Sequence, residues 1–210
     1  MINISNIIFD LGGVIIHLSY ELTREAFIKL GVTDFDAIYN KSRQSGFFDG
    51  FDKGTVSPAE FRDEIRRHIP HKVSDAEIDA AWNAVLLDIP KEKLELLTAL
   101  KSKYRTFLLS NTNEIHIASF SAYLERTYGT PDFTPYFEKW YYSCRTGMRK
   151  PDAEIFEFVL RENNLRTEET LFIDDSEQHI LGARKLGIHA VLMDQNTSLH
   201  DALLKANIPV

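Results

Sequence analysis

The stretch NIIFDLGGVII (residues 6–16) combines a run of isoleucine and phenylalanine with one carboxylate, Asp10, and a pair of glycines. A nearly continuous apolar run is typical of a strand that is covered on both faces, as the strands of parallel sheets are. A glycine pair directly after such a run indicates a turn. The stretch therefore predicts a buried strand that delivers the Asp10 carboxylate to its carboxyl end.

Four further apolar runs recur along the chain, each bounded by turn-forming or charged residues. They are YRTFLLS, KWYYS, TLFIDD and HAVLMD. Helical patterns precede three of them, namely KEKLELLTALKSK before the second strand of the chain, PDAEIFEFVLRENN before the fourth and SEQHILGARKLG before the fifth. This alternation predicts an α/β fold with a doubly wound, five-stranded parallel sheet.

A long segment without strand-like runs separates the first two predicted strands. Residues 19–89 instead carry apolar residues at spacings of three and four, which is the helical period. Two short sequences in this segment, SPAE and SDAE, have the serine and glutamate of a helix capping box. We therefore expect a helical domain, residues 19–89, inserted into a core domain that comprises residues 1–18 and 90–210.

Polar side chains stand at the carboxyl ends of the predicted strands, the edge at which parallel sheets bind ligands. The candidates are Asp10 after the first strand, Ser110 and Asn111 after the second, Lys150 after the third, and Asp174 and Asp175 after the fourth. Two adjacent carboxylates repel each other unless a cation or a lysine joins them. Together these residues offer a carboxylate, a hydroxyl, an amide, an ammonium group and a carboxylate pair at one edge of the sheet.

Four motifs, FDLGGV, LLSNTN, GMRKPD and FIDDSEQH, follow one another in this order. In order and spacing they resemble the motifs of the haloacid dehalogenase superfamily of phosphohydrolases, in the subfamily with a helical cap inserted after the first motif. The first and third motifs are most similar to those of small sugar-phosphate phosphatases, the glucose-1-phosphatases among them. The resemblance implies a Rossmann-like core, a cap, and hydrolysis of a small phosphorylated substrate, with a sugar phosphate expected.

The resemblance also assigns a nucleophile and a metal site. Asp10 would form an aspartyl-phosphate, which splits one difficult displacement into two easier steps. Mg²⁺ would be held by the carboxylates of Asp10 and Asp175 and by the backbone carbonyl of Gly12, because this ion prefers oxygen ligands. Asp174 would stand just outside the ligand sphere, paired with Lys150.

Binding of the phosphoryl group falls, by the same resemblance, to three residues. Ser110 and the backbone of Asn111 would donate to the phosphoryl oxygens, and Lys150 would neutralise charge on the nucleophile and the phosphate. Phosphoryl transfer depends mostly on such positioning and electrostatic stabilisation. The expected catalytic residues are therefore Asp10, Ser110 and Lys150.

Two positions depart from the pattern of most phosphatases in the superfamily. Gly12 replaces an aspartate that protonates the leaving oxygen and then activates water. His179 stands where many relatives carry asparagine or aspartate, and we assign it no ligand role. His17 follows the glycine turn and is open to two interpretations, a replacement acid in the cleft or a histidine at the hinge or surface.

The segment RQSGFFDGFDKGTVS (residues 43–57) is rich in glycine and phenylalanine. In capped relatives the corresponding loop faces the active site and selects the substrate. A helix–helix turn with aromatic anchors fits the same composition. Both interpretations stay open on the sequence alone.

Two alternative functions fit parts of the pattern. The 2-haloacid dehalogenases of the superfamily also lack the second acid, since a departing halide needs no proton, and their chemistry uses no metal. The Asp174–Asp175 pair argues against this reaction, because without a cation it would place uncompensated charge beside Asp10. A weakly active or non-catalytic member that binds a phosphorylated metabolite is the other alternative, given Gly12.

Composition restricts the partners and the compartment. The 210 residues carry a formal net charge of −7, which argues against nucleic acid or an anionic membrane as a partner. Cys144 is the only cysteine, so an internal disulfide is impossible, which suits a reducing cytosol. Asp10 interrupts the N-terminal apolar run and no basic region precedes it, so we expect no signal peptide, no membrane span and a cytoplasmic location.

Overall fold

The computed structural model describes residues 4–32, 35–38, 46–194 and 196–209. These residues form a five-stranded sheet in the order β3-β2-β1-β4-β5, in which every neighbouring pair is parallel. The strands are β1 (Asn6–Phe9), β2 (Arg105–Ser110), β3 (Lys139–Tyr142), β4 (Thr170–Asp174) and β5 (His189–Leu192). The prediction of a doubly wound α/β fold is thereby confirmed.

Helices connect the strands and fill the long segment after β1. They are α1 (Tyr20–Lys29), α2 (Phe35–Ile38), α3 (Gly46–Asp52), α4 (Pro58–Arg66), α5 (Asp75–Asn83), α6 (Lys91–Lys101), α7 (Glu114–Tyr128), α8 (Ser143–Thr146), α9 (Ala153–Glu162), α10 (Glu177–Lys185) and α11 (Leu199–Lys205). Among these described helices none has the length and apolar character needed to cross a membrane.

The central strand β1 is hydrogen-bonded on both sides. Asn6 is in register with Arg105 of β2 and with Thr170 of β4. The chain adds β2 and β3 on one side of β1 and then returns to add β4 and β5 on the other. Strand order therefore reverses between β1 and β4, and Asp10, which directly follows β1, lies at this switch point.

Two hydrophobic clusters cover the two faces of the sheet. Side chains alternate along a strand, so Ile7 and Phe9 join the cluster beneath α6, α7 and α11, whereas Ile8 joins the cluster beneath α9 and α10. All three side chains have an exposure of 0%. Burial on both faces explains why the strand is apolar at successive positions, and it holds the residue after the strand rigidly in place.

Helices α1–α5 have an aromatic core of their own. The Phe51 ring stacks on Phe61 with centroids 4.3 Å apart, and Phe61 lies 4.8 Å from Trp82. Phe48 and Phe51 are 3% and 1% exposed. The described part of the segment 43–57 therefore supplies aromatic anchors, as one of the two interpretations predicted, whereas residues 43–45 lie outside the described residues.

The two capping boxes predicted in this helical insertion are present. At the start of α4 the Glu60 N–H donates to the Ser57 hydroxyl at 3.2 Å, and the Ser57 N–H donates to the Glu60 carboxylate at 2.8 Å. Ser74 and Glu77 form the same reciprocal pair before α5. These caps satisfy backbone N–H groups that have no partner within the helix, and they define where both helices begin.

Candidate active site

Lys150 lies at the centre of the polar strand ends. Its Nζ donates to Asp10 Oδ1 at 2.6 Å, to Asp174 Oδ2 at 2.6 Å and to the Leu109 carbonyl at 2.8 Å. The Lys150 side chain is fully buried. The structure thus brings together predicted residues from the ends of three different strands, and it gives the buried Lys150 ammonium group two carboxylate partners.

The loop that carries Lys150 is held by the side chain of Asn111. The Asn111 amide donates to the Lys150 carbonyl at 2.9 Å, and the Lys150 N–H donates to Asn111 Oδ1 at 2.9 Å. Gly182 on α10 lets this loop approach closely, since a Cβ at that position would come within 2.6 Å of the Pro151 carbonyl oxygen. Asn111 therefore positions the lysine, a contribution of its side chain that the sequence pattern did not reveal.

The ionisation of these groups follows from their burial and their mutual charges. Burial raises the pKa of Asp10 above its usual range; the ammonium of Lys150 opposes this rise, and the carboxylates of Asp174 and Asp175 reinforce it. Burial also acts to raise the pKa of Asp174, but Lys150 and His179 hold it below its usual range. Burial acts to lower the pKa of Lys150, whereas its two carboxylate partners hold it above the usual range. Lys150 is therefore a cation at neutral pH.

The three carboxylates form a site that suits a divalent cation. Asp10, Asp174 and Asp175 each offer an oxygen atom, and these atoms lie within 4.8 Å of one another. Lys150 donates to two of these three carboxylates, and the group of three carries more formal negative charge than one ammonium group offsets, which suits a bound cation. Because every donor is a hard oxygen atom, the residues fit Mg²⁺ rather than a soft metal ion.

The carboxylates of the acidic pair have different surroundings. Asp174 is fully buried and accepts from Lys150, from the Ser176 N–H at 2.8 Å and from His179 Nδ1 at 2.9 Å. Asp175 is partly exposed and lines the central cavity. This difference supports the expectation that Asp175 is the ligand and Asp174 lies behind it. His179, which we assigned no ligand role in the sequence analysis, fixes the Asp174 carboxylate.

The glycine turn after β1 is shaped by these neighbours. Gly13 has a φ of +77°, and a Cβ there would come within 2.4 Å of Asp175 Oδ2, so only glycine lets the carboxylate lie against the turn. The three atoms nearest to a Cβ at Gly12 would all belong to Leu18, with Cδ1 at 2.8 Å. Leu18 Cδ1 is the end of a flexible side chain, so the missing aspartate at position 12 is not excluded by the backbone.

A cavity of about 160 Å³ lies between the sheet edge and the helical insertion. Its floor includes Asp10, Gly12, Ser110, Asn111 and Asp175, and its opposite wall includes Tyr20, Phe48, Asp52, Trp82, His116 and Arg149. Ser110, the last residue of β2, is 3% exposed. Phe48 and Asp52 belong to the segment 43–57, which one interpretation of the sequence placed at the active site. The other wall residues were not identified from the sequence, because no local pattern indicates which side chains face a cavity between two parts of the chain.

His17 does not belong to this wall. Its Nδ1 lies 2.9 Å from Asp88 Oδ1, and its side chain is 49% exposed. Together with Lys93 and His200 it lines a surface groove that shares Leu18, Tyr20 and Asp175 with the cavity. Of the two interpretations of His17, the structure supports the histidine at the surface.

Comparison with known proteins agrees with this geometry. The family model described as haloacid dehalogenase-like hydrolase matches residues 4–187. The chain belongs to this hydrolase family. The resemblance that the four motifs indicated is thereby confirmed, and with it the conclusion that the chain has the fold of a hydrolytic enzyme.

The relatives include a phosphatase and a magnesium complex. A D-ribitol-5-phosphate phosphatase from Bacteroides thetaiotaomicron is 33% identical over 184 residues, which cover 88% of this chain and 89% of the relative. A family enzyme from the same organism, crystallised with magnesium and inorganic phosphate, is 42% identical with a TM-score of 0.82, over 92% and 96% of the two chains. A predicted family hydrolase from Porphyromonas gingivalis is 32% identical with a TM-score of 0.88, over 99% of each chain.

A 2-haloacid dehalogenase from Pseudomonas syringae is also similar in structure. It is 14% identical with a TM-score of 0.59, over 98% of this chain and 97% of the other. Likeness at this level of identity shows the shared fold alone.

Proposed function

We propose that this protein is a magnesium-dependent phosphatase that hydrolyses a small phosphorylated metabolite, a sugar or polyol phosphate. The observation that carries the proposal is the buried Lys150 ammonium between Asp10 and Asp174, with the Asp175 carboxylate beside them at the floor of one cavity. The phosphatase and the magnesium and phosphate complex among the relatives support it.

Asp10 is the nucleophile in this proposal. A carboxylate oxygen of Asp10 bonds to phosphorus while the bond from phosphorus to the leaving oxygen breaks, which forms an aspartyl-phosphate. Water then attacks that phosphorus, releases inorganic phosphate and regenerates the carboxylate. Burial of Asp10 removes most of the water that would otherwise solvate the attacking oxygen, and Lys150 Nζ, 2.6 Å away, fixes its position.

The remaining residues bind and neutralise the phosphoryl group. Ser110 and the backbone N–H of Asn111 donate to its oxygens, and Lys150 offsets its negative charge. Asp10, Asp175 and the carbonyl of Gly12 would hold Mg²⁺. When bound, the ion supplies positive charge next to the phosphoryl oxygens.

The proposal includes a cap. Residues 19–89 form the cap domain, and residues 1–18 and 90–210 form the core domain. The aromatic cluster within α1–α5, to which α7 adds Ile115, supports this division, and the contribution of Phe48 and Trp82 to the cavity wall supports a role in enclosing the substrate. Exclusion of bulk water by a closed cap favours small substrates. We also propose that the protein acts in the cytoplasm, without a nucleic-acid or membrane partner, which its net charge of −7 supports.

Dehalogenation fits the site less well. That reaction needs no metal, and without a cation the adjacent carboxylates of Asp174 and Asp175 would add negative charge beside the nucleophile. Release of halide from 2-haloacids in the presence of a chelator would favour it over the phosphatase.

Replacement of Asp10 tests the proposal. Asp10→Asn keeps the shape of the side chain but cannot attack phosphorus, so phosphate release from a panel of phosphorylated metabolites with Mg²⁺ should fall to background. Asp88→Asn, at an exposed carboxylate outside the cavity, is the matched control and should keep full activity. If Asp10→Asn folds normally and retains more than a small fraction of the activity, Asp10 is not the nucleophile and the proposed mechanism fails.

A further inference from the structure

The cavity has a second polar region, where α5 of the insertion meets α7 of the core. The His116 ring stacks on the Trp82 indole, with centroids 5.1 Å apart and planes 4° from parallel. His116 Nδ1 lies 2.9 Å from Asn83 Oδ1. The Trp82 indole N–H donates to Asn113 Oδ1 at 3.3 Å. These four residues, which we call the α5–α7 wall, join the insertion to the core.

The partners of His116 decide where its proton lies. The Asn83 carbonyl oxygen only accepts, so His116 Nδ1 carries the hydrogen and Nε2 carries the lone pair. Burial lowers the pKa of His116 to about 3, so the ring is neutral at physiological pH. His116 therefore adds to the cavity wall a hydrogen-bond acceptor without charge.

The position of His116 is fixed from both sides. Its backbone N–H donates to Asn113 Oδ1 at 3.1 Å, the capping bond at the start of α7, and its ring is held by Trp82 and Asn83. A phenylalanine at position 116 would stack on Trp82 equally well, so packing alone does not require the ring nitrogens of His116. A rigid acceptor in the wall of a cavity suits recognition of a ligand that carries a donor.

We propose that His116 is a specificity-determining residue whose Nε2 accepts a hydrogen bond from a hydroxyl on the unphosphorylated part of the substrate. This inference rests on the proposed phosphatase function and names its substrate class, a phosphate monoester of a polyhydroxylated alcohol. A carboxylate or second phosphate at the same place would meet a lone pair instead of a proton. Such compounds are therefore disfavoured.

A matched pair of substrates tests the inference. Ribitol 5-phosphate and pentyl phosphate have the same number of carbons, but only the first carries free hydroxyls. The wild type should have the higher kcat/KM for ribitol 5-phosphate. His116→Phe, which keeps a ring against Trp82, should raise KM for ribitol 5-phosphate about three- to tenfold, as expected for one net hydrogen bond. Its kcat, and all constants for pentyl phosphate, should change less than about twofold.

Two further variants separate recognition from structure. His116→Gln provides an amide oxygen that can accept in place of Nε2 and should recover part of the lost preference. His189→Phe, at the amino end of β5 and so at the opposite edge of the sheet, should leave both substrates unaffected. Melting temperatures of all variants are measured in parallel, because a merely structural role would lower stability and activity toward both substrates alike.

The outcomes distinguish the inference from the function on which it rests. Equal losses on the two substrates in His116→Phe, no loss on either, or a wild type that prefers pentyl phosphate would overturn the role of His116 while leaving the phosphatase intact. A wild type that releases no phosphate from these compounds or from an aryl phosphate would overturn the proposed function, and the inference with it.

Discussion

Replacement of Lys150 by methionine tests the electrostatic design of the site without relying on activity. The substitution keeps most of the aliphatic stem but removes the ammonium group. Asp10 and Asp174 each lose a partner at 2.6 Å, and the Leu109 carbonyl loses a donor at 2.8 Å. Two buried carboxylates would then face each other with no cation between them.

The cost follows from the burial of the cluster. Lys150 and Asp174 have side-chain exposures of 0%, and that of Asp10 is 10%, so solvent screening is weak. Removing one partner of a buried ion pair typically costs about 3–5 kcal/mol. For a chain of this size about 1 kcal/mol corresponds to about 2–4 °C in melting temperature, so we expect Lys150→Met to melt about 6–20 °C below the wild type.

The assay is thermal unfolding in a chelating buffer, so that no divalent cation replaces the missing charge. Lys139→Met, which removes a half-exposed partner of Glu162, is the matched control and should cost less than about 1 kcal/mol. Adding Asp174→Asn to Lys150→Met removes one of the opposed carboxylates and should restore part of the loss. A Lys150→Met protein that melts within about 2 °C of the control would refute the reasoning.

Three further predictions concern the metal site, the insertion and the missing acid. Asp175→Asn should raise the magnesium concentration needed for half-maximal activity far more than Asp174→Asn, because Asp174 already accepts from three donors; one titration series measures both. Phe51→Ala should lower the free energy of unfolding by about 3–5 kcal/mol and slow the turnover of all substrates alike. Phe48→Ala also opens the cavity wall, so it should change substrate preference as well. Denaturant unfolding and activity on a substrate panel measure the two effects. Gly12→Asp should speed the hydrolysis of alkyl phosphates by up to about a hundred- to ten-thousandfold, and Gly12→Ala is the steric control. If Gly12→Ala is active and Gly12→Asp is no faster than the wild type, another group supplies the proton.

The sequence predicted the strands and their polar ends because both are local signals. Ile7, Ile8 and Phe9 are apolar at successive positions since hydrophobic clusters cover both faces of the sheet. Asp10, at the end of that strand, meets Lys150 because parallel strands bring their carboxyl ends to one edge. Each polar residue alone was weak evidence for a site, and the parallel topology of the sheet is what indicated that they meet at one place.

Local sequence patterns did not indicate that Trp82 and His116 line the cavity. Trp82 and His116 are stacked although they belong to different helices, and their contact depends on how α5 packs on α7. An isolated histidine in an amphipathic helix has the same sequence context whether it faces solvent or a cavity. His17 illustrates the converse, since its position after the glycine turn suggested the cleft and its contact with Asp88 places it at the surface.

Three side chains that line the cavity could in principle replace the acid that is missing at position 12, namely His116, His179 and Tyr20. His116 is neutral and directs its one ring proton to Asn83, and His179 directs its Nδ1 proton to Asp174. Tyr20 keeps its proton, because burial and the carboxylates near it raise its pKa above the usual range. Both histidines thus direct a ring proton to another side chain and Tyr20 retains its phenol proton, so none of these three side chains is well suited to general acid catalysis at neutral pH. A leaving group that departs as a stable anion needs no proton, so this enzyme should hydrolyse aryl phosphates faster than alkyl phosphates of similar size. The ratio of the two rates should be larger than in a phosphatase that has aspartate at position 12.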